Sequence, residues 1–424
     1  MLRHKLQQII IFLLYGVIVI VSSPRAENIT IPTAYTDEEL AKVREWEKIW
    51  AGKKIDKTNI DQIAQFMPES YVGIIKDPEK WGAPPEGFYF MIIPYQPCPP
   101  TKGMAEATMR YAPLVKTAAD GTIENYAEIA GIPYPVPKTG LEAAWNFEFN
   151  NHGDTYQYRK WSPNINPKSR EERLADQEFT EMYFIHRTEL EPKPQIPNNS
   201  RGIHRGYFMH TYLPPEFLNM RMYTLRFIEQ TKEDEMYIWY SQFRRIRRMS
   251  TSAKTDAIDG TDLIYDDEYC WEGQIMRNTY TYKGRRDMLC NRHQDLNATV
   301  RQIGQTLVNN LSFERCNTIV IDAVNKDPNY VYGRRTWYLD PESYLILWTE
   351  IYDKNGRFWK CFLQHTDMLT TKIGEKKHSI VGTTYVDFQR THSGFSTSQK
   401  IYAPIVSCEV QPEIFTVRYL QKTY

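Results

Sequence analysis

Thr336-Trp337-Tyr338-Leu339-Asp340-Pro341-Glu342-Ser343-Tyr344-Leu345-Ile346-Leu347-Trp348 is the stretch that decides the fold. Asp-Pro-Glu-Ser is turn chemistry: proline presets φ, and the aspartate side chain can accept backbone N–H groups just ahead of it. The flanking runs are aromatic and aliphatic, as pleated strands favour. A turn of two or four residues gives one register, in which Trp337 faces Ile346 and Leu339 faces Tyr344. Side chains alternate along a strand. One face then carries Trp337, Leu339, Tyr344, Ile346 and Trp348, and the other Tyr338, Leu345, Leu347 and Ile351. A sheet with one solvated face would alternate apolar and polar. This hairpin is apolar on both, so something covers each side: the chain's own helices and Pro-rich segments on one, and a ligand or more protein on the other.

The same period-two pattern runs from about residue 154 to the C-terminus. Strand-like runs include Met182–Thr188, Gly206–Tyr212, Met222–Glu229, Met236–Arg248, Gln274–Tyr282, Thr318–Val324, Tyr344–Tyr352, Phe358–Gln364, Ser379–Gln389 and Ile414–Leu420. Asp353-Lys354-Asn355-Gly356 is a second hairpin signal. Helical breaks are expected near Arg170–Glu178 and within Arg286–Leu311. Short turns between so many strands predict a mainly β, α+β fold: a large curved antiparallel sheet or incomplete barrel with a few covering helices.

Upstream, Thr36 caps a helical rhythm whose first turn is Asp37-Glu38-Glu39, the charge a helix N-terminus prefers. From Glu69 to Lys138 prolines interrupt the chain repeatedly, predicting a largely extended wrap. Thr139 and Glu142 form a capping box for a short helix that includes Trp145. At the N-terminus, Arg3, His4 and Lys5 precede a charge-free run of 13 residues, Ile9–Val21, and then Ser22-Ser23-Pro24-Arg25-Ala26. That is the layout of a secretory signal peptide cut near Ala26, and the run is short of the ~20 residues a spanning helix needs. The expected organisation is residues 1–26 signal peptide, 27–153 helical and Pro-rich wrap, and 154–424 sheet domain, exported to a periplasm.

Charge excludes one class of partner. Fifty-two basic residues balance 52 acidic ones, so no global field favours nucleic acid. Six cysteines in an exported chain allow up to three disulfides in any of 15 pairings. No CxxC or Cys/His spacing of the zinc type occurs, and no metal or cofactor is expected from spacing. His293, His365, His378 and His392 follow no HExxH pattern. His392-Ser393-Gly394-Phe395-Ser396 is not a nucleophile elbow, and adjacent Asp266 and Asp267 would point apart on a strand. No catalytic residue is predicted.

Arg244-Arg245-Ile246-Arg247-Arg248 is the sharpest local feature. On a strand Arg245 and Arg247 share one face, placed either to grip an anionic headgroup through forked hydrogen bonds or to pair with Asp256, Asp259, Asp262, Asp266, Asp267 and Glu268.

Gly131-Ile132-Pro133-Tyr134-Pro135-Val136-Pro137-Lys138-Thr139-Gly140-Leu141-Glu142-Ala143-Ala144-Trp145-Asn146 resembles a motif of the Gram-negative family called domain of unknown function 1329. Two further blocks resemble it as well: Arg244–Arg248 with Asp259-Gly260, and Arg334–Asp340 leading to Tyr352–Trp359. Asn150-Asn151-His152 departs from the family's more basic pattern, and the surroundings of Cys98 are unusually Pro-rich. The resemblance implies a fold like the lipoprotein carrier and receptor of the Lol pathway, with a greasy cavity under helices. It also implies work beside exporters of the resistance-nodulation-division (RND) type. The expectation is therefore a periplasmic carrier of a lipid or other hydrophobic small molecule, partnered by an RND-family exporter or an outer-membrane protein. The ligand-binding candidates are Trp239, Trp337, Ile346, Trp348, Arg245 and Arg247. An adaptor whose sheet is merely core is the competing expectation. Oligomeric state is not legible.

Overall fold

The computed structural model describes residues 33–422 except 169, 250–254, 259–260, 300–303 and 399–402. The signal-peptide expectation lies outside these residues. Four helices matter to the architecture: α1 (Asp37–Trp50), α2 (Glu69–Lys76), α3 (Lys102–Tyr111) and α4 (Gly140–Phe149). The first eight strands are β1 (Lys54–Ile55), β2 (Phe90–Ile92), β3 (Thr155–Asn166), β4 (Arg170–Tyr183), β5 (Ile203–Leu213), β6 (Arg221–Phe227), β7 (Glu235–Tyr240) and β8 (Arg245–Met249). The rest are β9 (Asn278–Cys290), β10 (Leu311–Asn325), β11 (Arg334–Leu339), β12 (Ile346–Tyr352), β13 (Phe358–Thr370), β14 (Lys376–Asp387), β15 (His392–Ser398) and β16 (Ile405–Val406).

They form one open 16-stranded sheet in the order β1-β2-β10-β11-β12-β13-β14-β15-β3-β4-β5-β6-β7-β8, with β9 on β10 and β16 on β3. All pairings are antiparallel except β2 with β10. The expected sheet-with-few-helices class is therefore what the chain adopts. The wrap contributes β1 and β2 to the sheet as well as helices to its faces.

The central hairpin keeps its turn but not its predicted register. Asp340 Oδ1 accepts the N–H groups of Glu342 (2.7 Å) and Ser343 (3.3 Å). Leu339 pairs with Ile346 and Tyr338 with Trp348, so Trp337 faces Thr349 and not Ile346. A β-bulge at Leu347 supplies the extra residue, and every side chain beyond it changes face. Trp348 consequently joins Tyr338 in one core, while Ile351 joins Trp337, Leu339, Tyr344 and Ile346 in the other. Helices close both sides. Trp348 meets Tyr71 of α2 edge-on at 5.1 Å and donates its indole N–H to Leu289 O. Trp337 packs on Phe147 of α4 and on Trp271.

Three other expectations are corrected. Arg170–Glu178 is part of β4: its helix-forming residues are held in strand pairing by ion pairs such as Arg159–Asp176 (2.7 Å) and Arg173–Glu216 (3.0 Å), an instance of tertiary context overriding propensity. The described residues of 291–311 hold only a short 3₁₀ turn, Leu296–Ala298. Ile414–Leu420 leaves the sheet, because the Thr416 hydroxyl caps a short helix by accepting the Tyr419 N–H. The Thr139 capping box is present, and the Thr36 cap is part of a second capping box completed by Glu39. All six cysteines are unpaired thiols, five of them buried. Cys290 and Cys316 touch as thiols across the β9–β10 pair, and the others are distributed over separate strands and loops.

Candidate functional site: an apolar cavity on strands β4 to β7

Cross-strand partners share a face of the sheet. Phe179, Met209, Met222 and Ile238 lie in one such row across β4, β5, β6 and β7. Tyr207, Thr224, Met236 and Met249 form the next row on the same face. Facing them are Ile258 and the segment 261–272, from which Leu263 and Tyr265 contribute. Between wall and roof lies a cavity of about 120 Å³ that opens to solvent. Three of its wall residues, Met209, Met222 and Met236, are methionines, whose unbranched, polarizable side chains adapt to irregular apolar ligands.

The roof is held down at its base by buried charge. Asp267 accepts from Arg335 (2.7 Å), the Tyr332 hydroxyl (2.8 Å) and the Ile264 N–H (3.0 Å). Tyr330 donates to Asp266 at 3.0 Å, and Arg335 also donates to Cys270 O. The Asp266-Asp267 pair is therefore an anchor, and the Arg335 of the Arg-Arg-Thr-Trp motif is its clamp. Tyr269 and Cys270 sit at positive φ (52° and 67°), a conformation side chains rarely adopt unless their surroundings impose it.

Charges around the cavity are matched in pairs. Lys160 reaches both oxygens of Glu268 at 2.7 Å, Arg226 holds Asp234 at 3.0 Å, and Arg205 pairs with Glu272 and lies 3.8 Å from Glu181. What remains facing the space is chiefly apolar. This arrangement can enclose an apolar chain. Among the described residues that line the cavity there is no histidine to join a Ser and an Asp.

Glu181 is fully buried, and burial pushes its carboxyl up to about 7 against the opposing pull of Arg205. A folded-state value above the unfolded one means the folded protein holds this proton more tightly. Stability from this group is therefore lost as pH rises between about 4.5 and 7. Glu181→Gln should leave stability unchanged near pH 4 and raise it by about 3 kcal/mol at pH 8. Urea unfolding at the two pH values reads the difference directly, and an equal effect at both would refute it.

Of the six residues expected to bind ligand, none lines this cavity. Trp337 and Ile346 lie in the core under α4, and Trp348 in the opposite core. Trp239 is half-buried beside a further core containing Phe415. It pairs with Arg221 and Ile246, one residue out of phase with the cavity row. Arg245 and Arg247 are exposed on β8, the edge strand, and pair with Tyr240 and Ile238, which puts them on the cavity face. Neither has an ion-pair partner among the described residues; Arg247 lies 5.8 Å from the Tyr240 ring centre. Asp262 and Asp267 are engaged elsewhere, by Arg390, His392 and Arg335. The cavity residues had a signal in the sequence: three methionines at period-two positions of successive strands.

The fold is an open, almost wholly antiparallel sheet with a roofed apolar cavity on one face. The chain belongs to the family described as "Protein of unknown function (DUF1329)", whose model matches residues 54–421. Among solved structures it is similar to a domain from Vibrio parahaemolyticus provisionally named an outer membrane lipoprotein-sorting protein domain. That match has 14% identity and TM-score 0.48, covering 67% of this chain and 98% of the other. A DUF1329 family protein from Desulfovibrio piger is similar at 11% identity and TM-score 0.47, covering 66% and 97%. A LolA superfamily protein from Nitrosomonas europaea is similar at 12% identity and TM-score 0.38, covering 67% and 100%. No curated protein matches in sequence. No helix among the described residues is long and apolar enough to cross a membrane.

Proposed function

We propose that this protein is a non-enzymatic carrier that encloses the apolar part of a lipid or similar hydrophobic molecule in the Met209–Met222–Met236 cavity. The observation that carries the reading is the cavity itself, an apolar space left between a sheet face and an anchored roof. Each methylene taken out of water contributes about 0.8 kcal/mol, so a chain of roughly ten carbons needs few polar contacts. Arg245 and Arg247 extend the cavity face to the open edge, where their exposed guanidinium groups would receive an anionic headgroup. At the β7–β8 turn Phe243 is 68% exposed, and Leu218 in the neighbouring turn is 47% exposed. Gln242 and Ser241 tie these two turns together. An exposed apolar tip flanked by arginines suits contact with a membrane surface or a membrane-bound partner. The signal-like N-terminus supports action in the periplasm, and an RND-type exporter or outer-membrane protein would be the exchange partner.

The test is native mass spectrometry of protein purified from its own envelope, followed by titration of the stripped protein with a fluorescent fatty acid. Met222→Trp, which fills the cavity, should weaken binding at least tenfold, or about 1.4 kcal/mol. Trp337→Phe, in the packed core, should leave affinity unchanged. Equal affinity in the wild type and Met222→Trp would defeat the cavity assignment, and a protein that takes up no apolar ligand would leave the adaptor role.

A further inference from the structure

Three residues far apart in sequence meet outside the cavity lining, namely Cys98 in the Pro-rich wrap, Asp340 in the central turn and His378 on β14, and His293, after β9, stands beside the Cys98 sulfur. Ligand atoms of Cys98, Asp340 and His378 all lie within 4.8 Å of one another. Cys98 Sγ is 3.7 Å from His293 Nε2, and His378 Nδ1 is 3.7 Å from Asp340 Oδ2. A tetrahedral ion with legs of about 2.0 Å to nitrogen and 2.3 Å to sulfur separates its S and N ligands by about 3.5 Å.

The outer partners are already in place. His293 Nδ1 faces Glu314 Oε1 at 2.6 Å, which leaves Nε2 toward the thiol. Thr366 donates its hydroxyl to Asn291 O, so it accepts from His378 Nε2 at 2.7 Å and leaves the His378 lone pair on Nδ1. Ser343 Oγ, 2.8 Å from that nitrogen, can rotate away. Orientation of ligating histidines by a carboxylate or hydroxyl behind the ring is the common second layer of metal sites. Asp340 Oδ2 receives Arg292 Nε at 2.7 Å and keeps a second lone pair. Charge is unbalanced in the direction a cation would correct. Asp340, Glu342 and Glu314, all buried, face one guanidinium, that of Arg292. A small cleft lined by Cys98, Met104, Glu342 and His378 gives access.

We propose that Cys98, Asp340 and His378 bind a borderline-soft divalent cation, Zn²⁺ in first place, with His293 closing on it from beside the sulfur as the fourth ligand. The mixed sulfur, nitrogen and oxygen donors select that class over Mg²⁺ or Ca²⁺. Binding releases the Cys98 thiol proton and puts the thiolate on the metal. The same Cys98–His293–Glu314 order could describe a catalytic thiol. Burial and the three carboxylates around it instead raise the Cys98 thiol's affinity for its proton, which a metal reverses and a free nucleophile does not.

The test uses the full chain, reduced and freed of metal with a chelator, then titrated with Co²⁺ and with Zn²⁺. One equivalent of Co²⁺ showing a thiolate charge-transfer band and tetrahedral d–d bands is the expected result, with displacement by Zn²⁺. Cys98→Ser should abolish the charge-transfer band, and Glu314→Gln should weaken Zn²⁺ binding about 10–100-fold. Far-UV circular dichroism confirms that both variants are folded, and Met104→Leu serves as a variant that keeps all four ligands. Folded, reduced wild-type protein that retains no stoichiometric Zn²⁺ would overturn the site, as would a Co²⁺ spectrum unchanged in Cys98→Ser.

Discussion

Replacing Arg292 by Met should lower stability by about 3–5 kcal/mol, among the largest losses a single substitution here can cause. The guanidinium is fully buried. It donates to Asp340 at 2.7 Å, to Glu342 and to Gln96 O at 3.1 Å, and lies 3.7 Å from Glu314. Removing it leaves three buried carboxylates facing one another, and that exposed imbalance dominates the cost, more than the worth of any one pair. The loss has a location too. Glu342 also accepts from the Tyr95 hydroxyl (2.7 Å) and the Cys98 N–H (2.8 Å), and Glu314 from the Gln96 N–H (2.6 Å). Those contacts fasten the wrap to the central turn. Urea unfolding should show the loss, and hydrogen exchange should show residues 90–100 released first. A variant within 1 kcal/mol of wild type would mean that the carboxylates are neutralised some other way.

Acid should unfold the protein steeply between pH 6.5 and about 4. His152, His186 and His365 are fully buried, and burial lowers each imidazole to about 3. His186 is stacked on Phe149 at 3.8 Å, with Nδ1 lacking a hydrogen-bond partner among the described residues. His365 is held between Asn291 and Thr384 at 2.8 Å each. Their folded values lie below the unfolded value near 6.5, so the unfolded chain takes up the protons first. Stability is full above pH 6.5 and is lost as pH falls toward 3. Each histidine costs about 1.4 kcal/mol per pH unit in that window, and Glu181 offsets roughly one of them down to about pH 4.5. A net slope of about 3 kcal/mol per unit would exhaust an ordinary stability of 5–15 kcal/mol within a few units. Denaturant midpoints at pH 7, 6 and 5 measure the slope, and His365→Asn should flatten it by about one histidine's share. A midpoint that does not move between pH 7 and 5 would contradict the buried, neutral state of these rings.

The β character, the Thr36 cap, the Thr139 capping box and the hairpin turns were legible because each depends on residues adjacent in sequence. The Asp340 side chain captures N–H groups two and three residues on, and Glu142 returns to the N–H of Thr139. The register of the central hairpin was not legible. A single extra residue at Leu347 reverses the face of everything after it, and that bulge follows from packing Trp348 against Tyr71 and Phe313 from segments remote in sequence. The aromatic strands have the character of a binding surface for the same reason that they became core: large apolar area is buried wherever protein can reach it.

The sequence by itself determined the class of fold, both apolar faces of the central hairpin and the family to which the chain belongs, since these rest on periodicity and local motifs. Only tertiary structure decided where apolar surface stays open to a ligand. The wall comes from β4 to β7 and the roof from a segment anchored by Arg335, and no spacing rule links them. The same holds for Cys98, His293, Asp340 and His378. Metal-ligand spacing is readable in a sequence when one turn or helix carries the donors, whereas here four separate elements, packed around one buried arginine, bring them together.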